Sequence, residues 1–554
     1  MNSQTIPKNK LNKELIFTSL IGVFLLLTYV FGLIIPVTSD AGKYAAISRI
    51  IYETGDWINL KIHFEPYLQK PPLLFWITTP FYFLFGPSAF AFKLPVFLFS
   101  GIAIYSTYRF AKIYYSVQTA RLAALMLATC EFYFLFHNDI HTDSLLTANV
   151  IFSIWQLAEY FNSKKLANIL LASLGVGLAM ISKGPIGIFV PVTAAFTHLL
   201  FKRQLNQLLS YKTILAIILL GMILFVGLTG LYNQFGWEGI QFFFWDNNAG
   251  RISGKIKGNS TDYFFYFHTT LYIFLPWGFL FFIALFYELK TRFQQKWKNQ
   301  KHDELFTLGG IFFYWIIISI AKAKAPHYFM VLSPFMAIIS AKWIILFFNS
   351  NSYFKIRKAV IIIQYVVIIA LWILLFILCA YCFPSRNIYF WTAIFILIIL
   401  SFIQLNKTKL YSIIARSIIA IVAINFALNA HIFVQLFNYQ SVIPACTVFN
   451  NQAKEGEKLN TYLSEHRELF FYAENPGYYL YDSDDLKKCL KKSNDWIYTN
   501  DKGIEEIKSY GTEFTLVKSF KHRSVSKLTA KYLNPKTRNK SLKNMYLIKL
   551  TSSP

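Results

Sequence analysis

The chain has 554 residues, of which 55% are hydrophobic, 18% aromatic and only 15% charged. A soluble globular protein carries nearer a quarter charged residues, and a disordered chain carries far less apolar content, so the composition indicates a polytopic membrane protein. The excess of 54 basic over 28 acidic residues, a net +26, is first of all what cytoplasmic loops of membrane proteins look like. Five cysteines are too few for a disulfide scaffold.

The apolar runs are long and continuous rather than alternating, which favours helices over a β-barrel. The first, 15–36, is too long for a signal-peptide core and no small-residue cleavage site follows it, so a retained helix is expected. Further spans are expected near 90–111, 122–137, 144–161, 166–182, 185–201, 212–232, 266–287, 305–321, 326–348, 359–383, 388–405 and 411–435, about thirteen in all. The Pro-containing stretch 73–86 reads as interfacial. With the N-terminus inside, every inner loop is basic. The series runs from Lys8, Lys10 and Lys13 through Arg109, Lys112 and Arg121, then Lys164 and Lys165, to Lys290, Arg292, Lys298 and Lys301, and finally Lys407, Lys409 and Arg416. This alternation predicts a cytoplasmic N-terminus and, for an odd number of spans, an outer C-terminus.

Near residue 440 the composition becomes polar. Residues 1–438 are therefore expected to form the membrane domain, with outer juxtamembrane helices at about 41–75 and a long outer loop at 236–262. Residues 439–554 are expected to form a small outer α/β domain with strand-like runs at 469–472, 496–498 and 545–550. In that domain the run Lys487, Lys488, Lys491, Lys492 reads as a solvated helix face, and Cys446 and Cys489 leave a disulfide open. Cys379-x-x-Cys382 lies in an apolar run, where its spacing is incidental.

The informative residues are charges that the inside bias does not explain, because ionisable groups at span ends are costly to desolvate. The cations are Lys70, Lys183, Arg251, Lys255, Lys257, Lys322 and Lys324. The acids are Asp40, Glu53, Asp56, Glu65, Glu131, Asp139 and Asp143. Asp40 opens a helical segment carrying Tyr44, Ile47 and Ile51 and suits either an N-cap or a catalytic carboxylate. Asp143 suits a helix cap in the same way. Lys70 precedes Pro71 and Pro72, which hold the loop in a definite shape; it is a snorkelling lysine or a phosphate ligand. His137-Asn138-Asp139-Ile140-His141-Thr142-Asp143 has metal-ligand residue types without a further ligand in sequence. Two more abrupt breaks carry cations, Ser182-Lys183-Gly184-Pro185 and Lys322-Ala323-Lys324-Ala325-Pro326-His327-Tyr328. Three such sites on one face, beside acids, predict an outward cavity for an anionic lipid-linked group.

The ordered set of motifs resembles the bacterial GT-C glycosyltransferases related to the lipid A aminoarabinose transferase and the protein O-mannosyltransferases. It comprises Asp40 with Tyr44 and Ile47-Ser48, Gly55-Asp56-Trp57, and Lys70-Pro71-Pro72-Leu73 with Trp76. It continues with Asp143-Ser144-Leu145-Leu146, Ser182-Lys183-Gly184-Pro185, Asn247 to Arg251, Leu275-Pro276-Trp277 and Lys324-Ala325-Pro326-His327-Tyr328. Phe470-Phe471-Tyr472 fits the same pattern. The chain has His327 where the family commonly has a second tyrosine.

The resemblance implies a polytopic α-helical membrane protein of the GT-C type, with a small C-terminal α/β periplasmic domain, in the bacterial inner membrane. It implies inverting transfer of a sugar, an amino sugar such as aminoarabinose, from undecaprenyl phosphate to lipid A on the periplasmic face. Lys70, Arg251, Tyr328 and Lys324 are then expected at the donor phosphate. Asp40 and an acid of the 139–143 loop, Asp139 or Asp143, are expected at the sugar and acceptor. Lys183, His327 and Tyr44 are further site candidates. No cofactor is implied, and a divalent metal is compatible with the site but not required by it. A protein or surface-glycan acceptor is the alternative. A transporter of lipid-linked sugars is more distant, because the unusual charges sit at outer helix ends and no repeat is visible. A scaffold has no use for the outer cations.

Overall fold

The computed structural model describes residues 8–254, 262–296, 304–403, 409–464, 466–491, 495–524 and 528–551. Lys255, Lys257, Lys298, Lys301, Lys407 and Lys492 lie outside the described residues.

The chain folds first into a helical membrane body. It comprises α1 (Lys8–Ile34), α2 (Ser39–Thr54), α3 (Leu73–Phe85), α4 (Ala89–Tyr114), α5 (Val117–Ala128), α6 (Glu131–Asn138), α7 (Thr142–Ser163), α8 (Leu166–Lys183), α9 (Ile186–Lys202) and α10 (Tyr211–Gln241). Next come α11 (Asn247–Ser253), α12 (Phe265–Ile273), α13 (Gly278–Gln294), α14 (Phe306–Ile320), α15 (Ser333–Asn349), α16 (Phe354–Phe376), α17 (Ile388–Phe402) and α18 (Lys409–Ala427). Among the described residues, eight helical stretches are long and apolar enough to cross a membrane, and Ile186–Lys202, Phe306–Ile320 and Ile388–Phe402 are shorter apolar helices. On α10, Ile214, Ile217, Ile218, Met222 and Phe225 are each more than half exposed. Such a face is stable only against lipid, with every backbone group satisfied inside its own helix.

A five-stranded sheet follows the membrane body: β3 (Leu459–Tyr462), β4 (Pro476–Leu480), β5 (Trp496–Asn500), β6 (Phe514–His522) and β7 (Lys543–Leu550), in the order β4-β3-β5-β7-β6. The smaller β1 (Lys61–Ile62) and β2 (Glu65–Pro66) form a hairpin between α2 and α3. Strand alternation sorts the large sheet's faces. Trp496, Tyr498, Met545 and Leu547 join the cluster that holds Tyr44 and Phe75 of the membrane body. Ile497, Ile548 and Leu550 face the other way onto Leu486 and Ile507. The sheet thus shares a core with the juxtamembrane helices.

Polar contacts fix that junction. The Tyr472 hydroxyl donates to the Val37 carbonyl at 2.9 Å and accepts from the Val37 amide at 2.8 Å. Arg49 of α2 donates to the carbonyls of Phe471, Ala473 and Glu474 at 3.0, 2.6 and 3.2 Å. It satisfies carbonyls that a helix end leaves without partners.

Several expectations are corrected. Residues 469–472 are helical, not a strand; at four residues the apolar run carries no period to separate the two. The stretch 236–262 is not a loop through its first half: α10 runs to Gln241, a π-helical turn covers Phe242–Asp246, and α11 ends at Ser253. Gly236 takes φ 58° and ψ −145°, so the chain leaves the helical conformation there and two helices meet across a kink. The expected span 122–137 lies within the candidate span Val117–Asn138, with its helix interrupted at Thr129–Cys130, whereas 266–287 is broken at Phe274–Trp277. Glu131, grouped with outer acids, lies within the apolar stretch Val117–Asn138. Cys446 and Cys489 are buried in separate clusters and form no disulfide with each other. Lys487 and Lys488 pair with Asp484 and Asp485 on one solvated helix, as expected.

Candidate active site

Backbone breaks present the key cations. At the end of α8, Gly184 takes φ 105° and ψ −159°, a conformation that only glycine adopts cheaply, and Pro185 then starts α9. The lysine just before the break is held at the helix end. Lys70 lies in a bend just before Pro71 and Pro72, with Pro72 at the N-terminus of α3. Ala325 is extended before Pro326, which opens a 3₁₀ turn over Pro326–Leu332 and presents His327 and Tyr328.

These breaks meet at a cavity of about 490 Å³. Its walls are apolar side chains of α9 and α14, including Ile186, Ile188, Phe189, Val192, Ile317 and Ile318. One end carries Lys70, Lys183 and Arg251 with Asn247 and Tyr328. A second groove, about 830 Å³, opens beside α1, α17 and α18, but no charged side chain lines it. Only the first combines a long apolar wall with fixed positive charge.

Arg251 is the most constrained of the cations. Its guanidinium donates to the Tyr328 hydroxyl and to Asn247 Oδ1, from Nε at 3.3 Å and from the terminal nitrogen at 3.2 Å. Its carbonyl accepts from the amides of Lys322 and Ala323, each at 3.1 Å, tying α11 to the break after α14. Tyr328 is the common neighbour, with the Lys183 ammonium 4.4 Å and the Arg251 guanidinium 5.3 Å from its ring centre. Tyr314 donates to the Tyr328 carbonyl at 2.9 Å and fixes the turn.

The carboxylates lie at the same end. Asp143, in the first turn of α7, pairs with Lys183. Asp40, in the first turn of α2, pairs with Lys43 at 2.8 Å and is half-exposed. Neither acts as an N-cap: Thr38 and His141 hold those positions, and neither side chain caps. Burial raises the Asp40 pKa, but Lys43, then His141 and Lys70, outweigh it and hold the carboxyl below the usual aspartate range. Burial, with the Lys183 and Arg251 charges, pushes Lys70 down to about 8, against the pull of Asp143 and Asp40. Ser39 precedes Asp40 at φ 55°, a strained value for serine.

The fold therefore brings together Asp40, Lys70, Asp143, Lys183, Arg251, His327 and Tyr328. Asp139 sits beside this group and holds His141 Nε2 at 3.2 Å. Two candidates do not line the cavity, although Tyr44 is near enough to feel the charges of Asp40, Asp143 and Asp139. The Lys324 ammonium donates to the Ala321 carbonyl at 2.6 Å and sits 5.5 Å from the Tyr263 ring. Tyr44 is buried against Phe75 in the core shared with the sheet. Sequence reasoning missed Lys43 as the partner of Asp40, although the i, i+3 spacing carried that signal. It also missed the trench walls, which no local motif marks.

Comparison with known proteins agrees with this picture. The family model for dolichyl-phosphate-mannose-protein mannosyltransferase matches residues 69–229. A protein of Aquifex aeolicus is 28% identical over 357 residues, covering 63% of this chain and 67% of its own length. The undecaprenyl phosphate-alpha-4-amino-4-deoxy-L-arabinose arabinosyl transferase 2 of Proteus mirabilis is 26% identical over 341 residues, 58% of each chain. The match thus spans little more than half the length of that named relative. The crystal structure of ArnT from Cupriavidus metallidurans bound to undecaprenyl phosphate superposes with a TM-score of 0.74 at 16% identity, covering 97% of this chain and 99% of that one. The fold is that of a GT-C membrane protein, and the resemblance read from the motifs holds.

Proposed function

We propose that this GT-C membrane glycosyltransferase moves a sugar from undecaprenyl phosphate to lipid A at the outer face of the bacterial inner membrane, with an amino sugar such as aminoarabinose as the transferred group. The observation that carries this reading is the cavity itself: an apolar trench ending in Lys70, Lys183 and Arg251 matches a polyprenyl chain ending in a phosphate. The transferase named for the Proteus mirabilis relative supports the donor class and the sugar.

The chemistry follows from the charges. The bond between the anomeric carbon and the phosphate oxygen breaks, and the bond to the acceptor oxygen forms on the opposite face. The phosphate leaves as an anion and needs no proton, so it needs fixed cations in a site of low dielectric. Lys70 and Arg251 meet the donor phosphate, with the Tyr328 hydroxyl orienting Arg251. A carboxylate next to the anomeric carbon stabilises the oxocarbenium-like transition state. Asp40, kept ionised by Lys43, takes this role or acts as general base when the acceptor is a hydroxyl. A lipid A phosphate is already ionised at neutral pH and needs no base. Asp143 orders Lys183. In this reading the N-terminus is cytoplasmic and the sheet of β3 to β7 is periplasmic.

The match to a protein mannosyltransferase family favours a second reading, in which the acceptor is a protein or a surface glycan. Mass spectrometry of lipid A from cells with and without the protein separates the two. The expected result is a sugar-sized mass lost on deletion and restored by wild type but not by Lys70→Ala. An unchanged spectrum moves the acceptor to protein or glycan.

A further inference from the structure

We propose that His141, Asp143 and His327 form a binding site for a divalent cation of the zinc or manganese type, at the polar end of the donor cavity. The three come from different elements: the α6–α7 connection, the first turn of α7 and the 3₁₀ turn that opens with Pro326. Each can offer one ligand atom, and these atoms lie within 4.8 Å of one another. The His141 and His327 rings stack at 4.4 Å and 13°. Stacked rings direct their in-plane lone pairs along parallel lines, so one imidazole turns for both to meet a single ion with Asp143.

Two details argue for a ligand rather than a chance cluster. Asp139 holds His141 through Nε2 at 3.2 Å, leaving Nδ1 for a metal; a carboxylate that orients a histidine in this way is the usual outer support of a metal ligand. Among the described residues, neither ring nitrogen of His327 makes a hydrogen bond, and Lys183 engages Asp143 through Oδ1 alone, so Oδ2 is available.

Two imidazoles and one carboxylate favour Zn²⁺, Mn²⁺ or Co²⁺ over Mg²⁺ and Ca²⁺, which take oxygen ligands, and leave coordination positions open. The neighbouring cations Lys70 and Lys183 oppose a further positive charge, whereas Asp40, Asp139 and a bound phosphate favour it. Metal and polyprenyl phosphate should therefore strengthen each other's binding, a coupling that rests on the proposed donor site.

The test uses the full chain, purified in detergent and stripped with a chelator. Mn²⁺ binding is followed by electron paramagnetic resonance and Zn²⁺ binding by calorimetry, with and without undecaprenyl phosphate. The expected result is one saturable ion that Mg²⁺ does not displace, bound more tightly with the lipid present. His141→Ala and His327→Ala should each weaken binding by tenfold or more, and Asp139→Asn by about tenfold, with melting temperatures near wild type. Asp139 is exposed, so its variant is the safeguard should a histidine variant misfold. Absence of saturable binding, or unchanged binding in all three variants, overturns the site. Full transfer by the metal-free protein would overturn any role for the ion and leave the proposed function standing, whereas loss of the lipid A effect with intact metal binding would do the reverse.

Discussion

Lys183 and Asp143 form an ion pair whose side chains are only 7% and 2% exposed, joining the C-terminal end of α8 to the first turn of α7. Such a pair is poor evidence of net stabilisation, because taking both charges out of water costs about what their attraction returns. Breaking it is another matter. Asp143→Ala or Lys183→Ala should each destabilise by about 3–5 kcal/mol, because each strands the other charge. The double variant Asp143→Leu with Lys183→Met should recover much of that loss in a detergent melting assay while transferring no sugar. A double variant as unstable as the sum of the singles would mean that the pair does not act as a unit.

Lys70 sets an alkaline limit. With its pKa near 8, the ammonium is present at neutral pH and is lost as pH rises through that value. Affinity for undecaprenyl phosphate should therefore weaken above about pH 8. Lys70→Arg stays charged throughout and should remove that limb, even if its neutral-pH affinity is lower. A wild-type binding curve that stays flat into the lysine range would show that another cation carries the phosphate.

Asp40 behaves in the opposite sense. Its pKa is lowered in the folded protein, so its share of stability is complete at neutral pH and is lost only as pH falls through that lowered value. The acid limb of transfer should lie below the ordinary aspartate range, and Lys43→Ala should shift it upward. Asp40→Asn should abolish transfer to a hydroxyl acceptor and leave residual transfer to a phosphate. Wild-type rates in this variant, measured with reconstituted protein and donor, would remove Asp40 from the reaction.

Arg251 tests orientation apart from charge. Arg251→Lys keeps the charge but loses the planar fork that reaches both Asn247 and Tyr328. It should raise the donor KM by about tenfold, at the low end for a charge-assisted contact of about 1.5–3 kcal/mol. Asn247→Ala should produce a smaller change of the same sign. Equal effects of both on kcat with KM unchanged would place their action in the transition state alone.

The trench offers a test that touches no charge. Ile317→Trp fills space along its wall and should displace a few carbons of the lipid. At about 0.8 kcal/mol per buried methylene, a loss of about 2 kcal/mol, roughly thirtyfold in donor affinity, is expected. A short-chain donor analogue should be far less affected, and equal losses for both would mean that the lipid lies elsewhere.

Much of this was legible in the sequence because membrane helices announce themselves. A continuous apolar run must satisfy its own backbone, and Pro and Gly mark where it stops. The motifs at Lys70, Lys183 and Tyr328 stood at just such stops and met in one cavity. Lys324 failed because successive residues on an extended segment point to opposite sides: Ala323 lines the cavity and Lys324 does not, and spacing alone does not say which side the cavity takes. The loop expected at 236–262 failed in part because Asn247 and Gly250 are turn formers in isolation; Gly236 does kink the chain, but helix resumes after it and runs through Ser253. The meeting of His141 with His327 could not be read at all, since it depends on how two distant breaks pack.

The bond between Tyr472 and Val37 joins residues 435 positions apart, at the elbow where α1 gives way to α2. Together with Arg49, it makes the sheet of β3 to β7 a brace on the helix whose first turn carries Asp40. The sheet is therefore not a passenger that can be trimmed while the membrane body keeps working: a loosened sheet lets the elbow swing, and Asp40 swings with it.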